Sequence, residues 1–313
     1  MYNNKLPVTD EQRLWIDDGF ERLKKALGEK RMLNAAVVLP TPEFFPEEYD
    51  GSEEAVADFF TQICNYMGVD RKSVDLEFEP NMLEAIAAAN APPPDEASDE
   101  TNDADASSPR EPIEDQEDDD SQADDKEAER IASSAHIYNP DDTIVSTEGR
   151  KTKYLWTDHR KRCAGPEVWE DDPTRAVICI SHGPGLEDTI GLAAYFAHQL
   201  SHVILIGGGL IDPAYVDVEE LSNLLTVYLG IGVFAANGAL RFQRETRQHP
   251  QRVLHEGALS EESYGYALAK FAVARGEDHP RWAEYLSTNV REYYKRSREW
   301  LAYPHDEDSY GEI

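Results

Sequence analysis

The sequence predicts an α+β protein that is predominantly α-helical. Apolar residues recur at helical spacing through much of the chain, whereas only short runs have the alternating or continuous apolar pattern of strands. The predicted helices are about residues 10–28, a segment that starts at Ser52, and about 187–205, 217–237, 260–275 and 280–302. Aromatic residues are frequent in the last two helices, which are expected to form a C-terminal helical hairpin.

Local signals define the elements near the N-terminus. Thr9 and Gln12 have the spacing of a capping box, and apolar residues follow on one face of the helix that they begin. The apolar run 35–39 predicts a short buried strand, and the alternation at 74–78 predicts a half-exposed one. The helix that starts at Ser52 has an apolar face made of Val56, Phe59, Phe60, Ile63 and Met67.

A long acidic segment divides the chain into three parts. Between Asp95 and Arg130 there are 17 acidic and three basic residues and no apolar periodicity, which predicts a disordered insertion at 92–130. Residues 1–91 are then an N-terminal α/β part, and 131–313 carry the long helices. Further strand candidates lie at 137–138, 143–146 and 176–181.

Charge and cysteine usage exclude several classes of protein. A formal net charge of -32 argues against nucleic acid as a partner, because phosphates would be repelled. Three widely spaced cysteines without a CxxC pair predict neither a disulfide framework nor a thiolate zinc site. Together with an N-terminus that lacks a signal pattern, they predict a cytoplasmic protein.

Residues 221–240 offer a membrane span as an alternative. The run has no charged residue and the length of a span. It also contains three glycines and two asparagines, and no aromatic and basic flank precedes it. These features favour a buried helix over a membrane segment.

The helix predicted at 187–205 carries two histidines suited to bind one metal ion. His198 and His202 are four residues apart, so their imidazoles lie on one face of the helix. The surrounding segment 190–211 has no charged residue, which predicts a central, buried position. Buried imidazoles need a partner, which is either a metal ion or hydrogen bonds within the core.

The next predicted helix carries Glu219 and, four residues later, Asn223. The pair of motifs, HQLSH and ExxxN, resembles the metal site of the thermolysin-like, gluzincin-type zinc metallopeptidases, in which HExxH precedes ExxxD. It is also similar to uncharacterised bacterial proteins with an intact HExxH motif. The resemblance covers about residues 187–240 and implies a zincin-like central helix pair.

Carried over by position, the resemblance implies that His198, His202 and Glu219 are zinc ligands. Gln199 then stands where these enzymes have the glutamate that deprotonates the metal-bound water. Asn223 stands where they have the aspartate that orients the first histidine. Both departures keep the shape of the side chain and remove its ionisation, so no catalytic residue is intact.

The expected function is therefore that of a catalytically impaired pseudo-metallopeptidase that binds zinc or a peptide. One alternative is an active zinc hydrolase that uses Glu220 or Glu187 as a substitute base. The other is a metal-free interaction module whose acidic insertion engages basic protein partners. Neither nucleic acid nor a membrane is expected as a partner.

Overall fold

The computed structural model describes residues 5–45, 48–79, 152–154, 157–158, 163–164, 166–181, 184–212, 215–238 and 259–302. It confirms an α+β protein that is predominantly helical. The helices are α1 (Asp10–Leu27), α2 (Glu29–Leu33), α3 (Glu53–Met67), α4 (Thr189–His202), α5 (Val218–Tyr228), α6 (232–238), α7 (Glu261–Ala274) and α8 (Thr288–Ala302). The strands are β1 (Val74–Glu79), β2 (Thr152–Tyr154), β3 (Thr157–Asp158), β4 (Cys163–Ala164), β5 (Glu167–Trp169) and β6 (Ala176–Ser181).

The N-terminal helices begin where their capping residues predict. The Gln12 amide donates to Thr9 Oγ1 at 3.2 Å and the Thr9 amide donates to Gln12 Oε1 at 3.0 Å, which completes the capping box of α1. At the start of α3, Ser52 Oγ accepts a hydrogen bond from the Ala55 amide at 3.2 Å. The predicted apolar face of α3 is fully buried. Local sequence is therefore sufficient to define both helices.

Four strands form the larger sheet, in the order β1-β6-β5-β2. The strands predicted at 74–78 and 176–181 pair in parallel, with Val74 opposite Ala176. Residues on both sides of the acidic segment therefore share one sheet. The insertion at 92–130 and the strand candidates at 137–138 and 143–146 lie outside the described residues, so the domain boundaries 1–91, 92–130 and 131–313 stay a prediction.

The strand predicted at 35–39 is wrong. This segment is extended but lies in no sheet, and the Val38 amide instead donates to the Gly230 carbonyl at 2.9 Å. The Arg275 guanidinium binds the carbonyl oxygens of Met32, Leu33 and Ala35 at 2.8–3.0 Å. The Gly230 carbonyl and the Arg275 guanidinium thus bind the Val38 amide and the Ala35 carbonyl, two backbone groups that a neighbouring strand would otherwise pair.

The helix predicted at 217–237 is interrupted after Tyr228. Gly230 has a φ of 86°, and a Cβ atom there would lie 2.2 Å from the Ala36 carbonyl oxygen. The chain turns at this glycine because the extended segment 35–39 crosses it, and the run 221–240 is not one continuous helix. Among the described residues, Thr189–Gly207 has the length and apolarity of a membrane span, but most of it is buried inside the molecule.

The C-terminal hairpin is confirmed by the packing of α7 against α8. A Cβ atom at Gly265 would lie 2.5 Å from Tyr293 Cβ, so this glycine lets the two helices approach closely. The second helix begins at Thr288 instead of about residue 280, because Arg281–Tyr285 forms a 3-10 turn after Pro280. The Trp282 ring packs on Tyr294 with centroids 5.3 Å apart.

Replacing Gly230 by alanine is expected to destabilise the fold more than the same change at Gly276. Both glycines have positive φ, but a Cβ atom at Gly276 would meet nothing within 4 Å. Backbone strain should cost about 1 kcal/mol at either site, and the clash with Ala36 should raise the loss at Gly230 to about 3 kcal/mol. Urea unfolding measures both, and equal losses would contradict the crossing of segment 35–39 over Gly230.

Candidate metal centre

Two packed helices carry the candidate ligands. His198 and His202 lie on one face of α4, in its last two turns, and a π-helical turn, Val203–Gly207, follows directly. Glu219 lies in the first turn of α5, which packs against α4. Because both helices are central to the core, all three side chains point into the interior of the protein.

The three side chains converge on one point. His198 Nε2 is 3.0 Å from His202 Nε2 and 2.9 Å from Glu219 Oε2, and His202 Nε2 is 3.5 Å from Glu219 Oε1. The residues are 3%, 0% and 1% exposed. In the described part of the chain, this is the group of histidine, cysteine and carboxylate side chains that could hold a metal ion.

The spacing of the ligand atoms is close to that around a tetrahedral ion. Bonds of 2.0–2.1 Å to a tetrahedral zinc place neighbouring ligand atoms about 3.3–3.4 Å apart. The two imidazole nitrogens are 3.0 Å apart, and they lie 2.9 Å and 3.5 Å from the two carboxylate oxygens of Glu219. With one oxygen taken from Glu219, the three ligand atoms lie within 4.8 Å of one another, so one cation can accept lone pairs from all three.

Burial also favours the form of His198 that binds metals. Desolvation lowers the pKa of His198 below its ordinary value, while the charge of Glu219 and hydrogen bonds to Glu219 and Asn223 oppose this shift. The ring is therefore held neutral, and a neutral imidazole donates a lone pair to a metal.

A serine orients the second histidine. Ser222 Oγ lies 3.3 Å from His202 Nδ1, the ring nitrogen that faces away from the convergence point. Hydrogen bonding at Nδ1 fixes the orientation of a ligating imidazole and leaves Nε2 for the metal. Ser222 is fully buried on α5, three residues after Glu219.

Asn223 connects the turn of α5 that carries Glu219 with α7. Its Nδ2 donates to the main-chain carbonyl of Glu219 at 2.9 Å. The Tyr264 hydroxyl donates to Asn223 Oδ1 at 2.9 Å. Asn223 thus uses an amide donor that an aspartate would lack, and its role toward the first histidine stays a prediction.

No ionisable base occupies the sequence position next to the first histidine. Gln199 is there, 7% exposed, and its neutral amide cannot accept a proton from water at ordinary pH. Of the substitute bases suggested by the sequence, Glu187 lies beside Gly51, before α4 begins, whereas His198 is in the third turn of that helix. Glu220 is half-buried in the first turn of α5.

Sequence reasoning missed Ser222 and Tyr264. Ser222 lies one turn after Glu219, so its position on the helix was a usable signal. Tyr264 follows Asn223 by 41 residues, and its sequence pattern indicates only helix packing. Nothing in the local sequence shows that its hydroxyl reaches the site.

Comparison with known proteins does not identify a family. The chain matches no protein-family model, no curated protein and no solved structure. A zincin-like fold therefore stays a prediction, and the candidate metal centre rests on the geometry of His198, His202 and Glu219.

Proposed function

We propose that His198, His202 and Glu219 bind a divalent metal ion, with zinc as the preferred ion, in a non-catalytic protein that resembles a metallopeptidase. The observation that carries the proposal is the convergence of two imidazole nitrogens and one carboxylate within 3.5 Å of one another. Two histidines and a glutamate are also the ligand set of a large group of zinc hydrolases.

The ligand set and its burial favour zinc over magnesium and calcium. Imidazole suits zinc and other late first-row metals, whereas magnesium and calcium prefer oxygen ligands. Magnesium also retains several water molecules in most protein sites. A site whose ligands are at most 3% exposed offers little room for them.

Three features favour a non-catalytic role. Gln199 replaces the general base, a group that contributes about 10²–10⁴-fold to rate. Glu187 lies beside Gly51, before the first turn of α4, whereas His198 is in the third turn. The buried ligands also leave little access for a substrate, which a hydrolytic zinc site needs at its open position.

Metal content tests the binding site. Full-length, untagged protein is expected to carry near-stoichiometric zinc by elemental mass spectrometry, and His198→Ala is expected to lose it because one of three ligands is removed. Glu219→Gln keeps the side-chain volume and should also lose most of the zinc, because a neutral amide is a weak ligand. His279→Ala, at an exposed histidine, is the matched control and should retain the wild-type content.

Two outcomes would contradict metal binding at this site. One is zinc content that is unchanged in both ligand variants. The other is wild-type protein that binds no zinc even after dialysis against it, which would favour the metal-free interaction module. Paired replacement of both histidines by apolar residues should then be tolerated.

Peptide hydrolysis tests the non-catalytic role. Zinc-loaded protein is expected to cleave a generic fluorogenic peptide no faster than His198→Ala does, because the general base is absent. Turnover that requires zinc, survives Gln199→Ala and disappears in His198→Ala would instead establish an active hydrolase with another base.

Asn223→Asp is expected to make stability depend more strongly on metal than it does in the wild-type protein. An aspartate loses the hydrogen bond to the Glu219 carbonyl and adds a second buried carboxylate beside Glu219. In chelator, the free energy of unfolding should fall by about 3 kcal/mol, and saturating zinc should restore most of it. Urea unfolding with and without zinc measures both effects.

Asn237→Asp is the matched control for this change. Its amide also donates to a main-chain carbonyl, that of Tyr285, but away from the three ligands. Its stability should rise with zinc by the same amount as that of the wild-type protein, because all three ligands are retained. If Asn223→Asp behaves like this control, Asn223 does not adjoin a metal centre.

A further inference from the structure

Tyr264 is a buried tyrosine of the C-terminal hairpin that reaches the candidate metal centre. It is 2% exposed and lies in the first turn and a half of α7, which packs against α5. Its hydroxyl donates to Asn223 Oδ1 at 2.9 Å. Burial strongly raises the pKa of Tyr264, so the phenol stays protonated and remains a hydrogen-bond donor.

The hydrogen bonds around Asn223 fix the orientation of its amide. The Glu219 carbonyl is an acceptor only, so it requires the NH2 side of the amide, which is 2.9 Å away. The Tyr264 hydroxyl occupies the oxygen side. With both sides engaged, the amide links α7 to the turn of α5 that carries Glu219.

We propose that Tyr264 is a positioning residue of the metal centre, which acts through Asn223 on the turn of α5 that carries the ligand Glu219. The inference rests on the proposed function, since it concerns the same site. Residues that orient metal ligands from outside typically change metal affinity by about 10–100-fold when they are mutated. Tyr264 is further from the ligands than Asn223 is, but its hydroxyl is the donor that holds the Asn223 side chain in place.

This position links the C-terminal hairpin to the ion. The hydroxyl of Tyr264 is available to Asn223 only when α7 is docked on α5. Zinc binding and the docking of α7 on α5 are then coupled, and such coupling is reciprocal. Zinc should therefore stabilise the docked hairpin as much as docking strengthens zinc binding. The hairpin would then control metal affinity without supplying one of the three ligands.

Zinc affinity of the full chain tests the proposal. Tyr264→Phe is expected to raise the Kd for zinc, measured by competition with a chromophoric chelator, by about 10-fold or more. Tyr266→Phe is the matched control, because Tyr266 lies on the same helix and is 1% exposed. Its hydroxyl donates to Asp17 at 3.0 Å, so its loss should lower stability and leave the Kd unchanged.

A spectroscopic measurement separates positioning from general destabilisation. In cobalt-loaded protein, Tyr264→Phe should shift the visible absorption of the ion, because the ligand Glu219 is repositioned, whereas Tyr266→Phe should not. Hydrogen exchange in 261–274 should slow on addition of zinc to wild-type protein, and the slowing should be smaller in Tyr264→Phe.

The outcomes distinguish this inference from the proposed function. Wild-type protein that binds no zinc overturns both. Zinc binding in wild type with a Kd in Tyr264→Phe within two-fold of the wild-type value overturns the role of Tyr264 alone. An equal rise of the Kd in both tyrosine variants also overturns it, because the effect would then come from the fold in general.

Discussion

The burial of the Glu219 carboxylate between two imidazoles is the interaction on which the centre of this structure depends. Glu219 is 1% exposed and lies within 3.5 Å of both His198 and His202. Isolating a carboxylate from water costs several kcal/mol unless its charge is compensated. A divalent cation would compensate this charge and satisfy the lone pairs of both rings. A bound cation would therefore stabilise the packing of α4 on α5.

The remaining helices surround this pair. Helix α3 packs on α4, and α1 and α7 both pack on α5, so the candidate ligands are separated from solvent by a layer of helices. The sheet adds the parallel pair β1 and β6, which joins the regions on both sides of the acidic segment. A centre enclosed in this way is suited to hold an ion and poorly suited to exchange substrates. This arrangement agrees with the absence of an ionisable residue at position 199.

Sequence reasoning succeeded where the signal is local. Histidines four residues apart on one helix must share a face, so the approach of His198 to His202 was predictable before any tertiary structure. The approach of both to Glu219 agrees with the resemblance, while their role as zinc ligands stays a prediction. It failed where a distant part of the chain decides the outcome. The apolar run 35–39 satisfies the pattern of a strand, but its backbone partners are Gly230 and Arg275. The turn at Gly230 and the hydroxyl of Tyr264 likewise depend on residues that are remote in sequence.

The contacts of α1 with the C-terminal hairpin have a consequence for protein synthesis. Asp17 accepts hydrogen bonds from Tyr266 at 3.0 Å and from Lys270 at 2.7 Å, about 250 positions later in the chain. At the usual elongation rates of about 5–20 residues per second, roughly 10–50 s pass on the ribosome before these partners emerge. During that interval the apolar face of α1, with Ile16, Phe20 and Leu23, lacks its native cover from α5 and α7. The nascent chain is therefore a candidate client for chaperones until its last helices have left the exit tunnel.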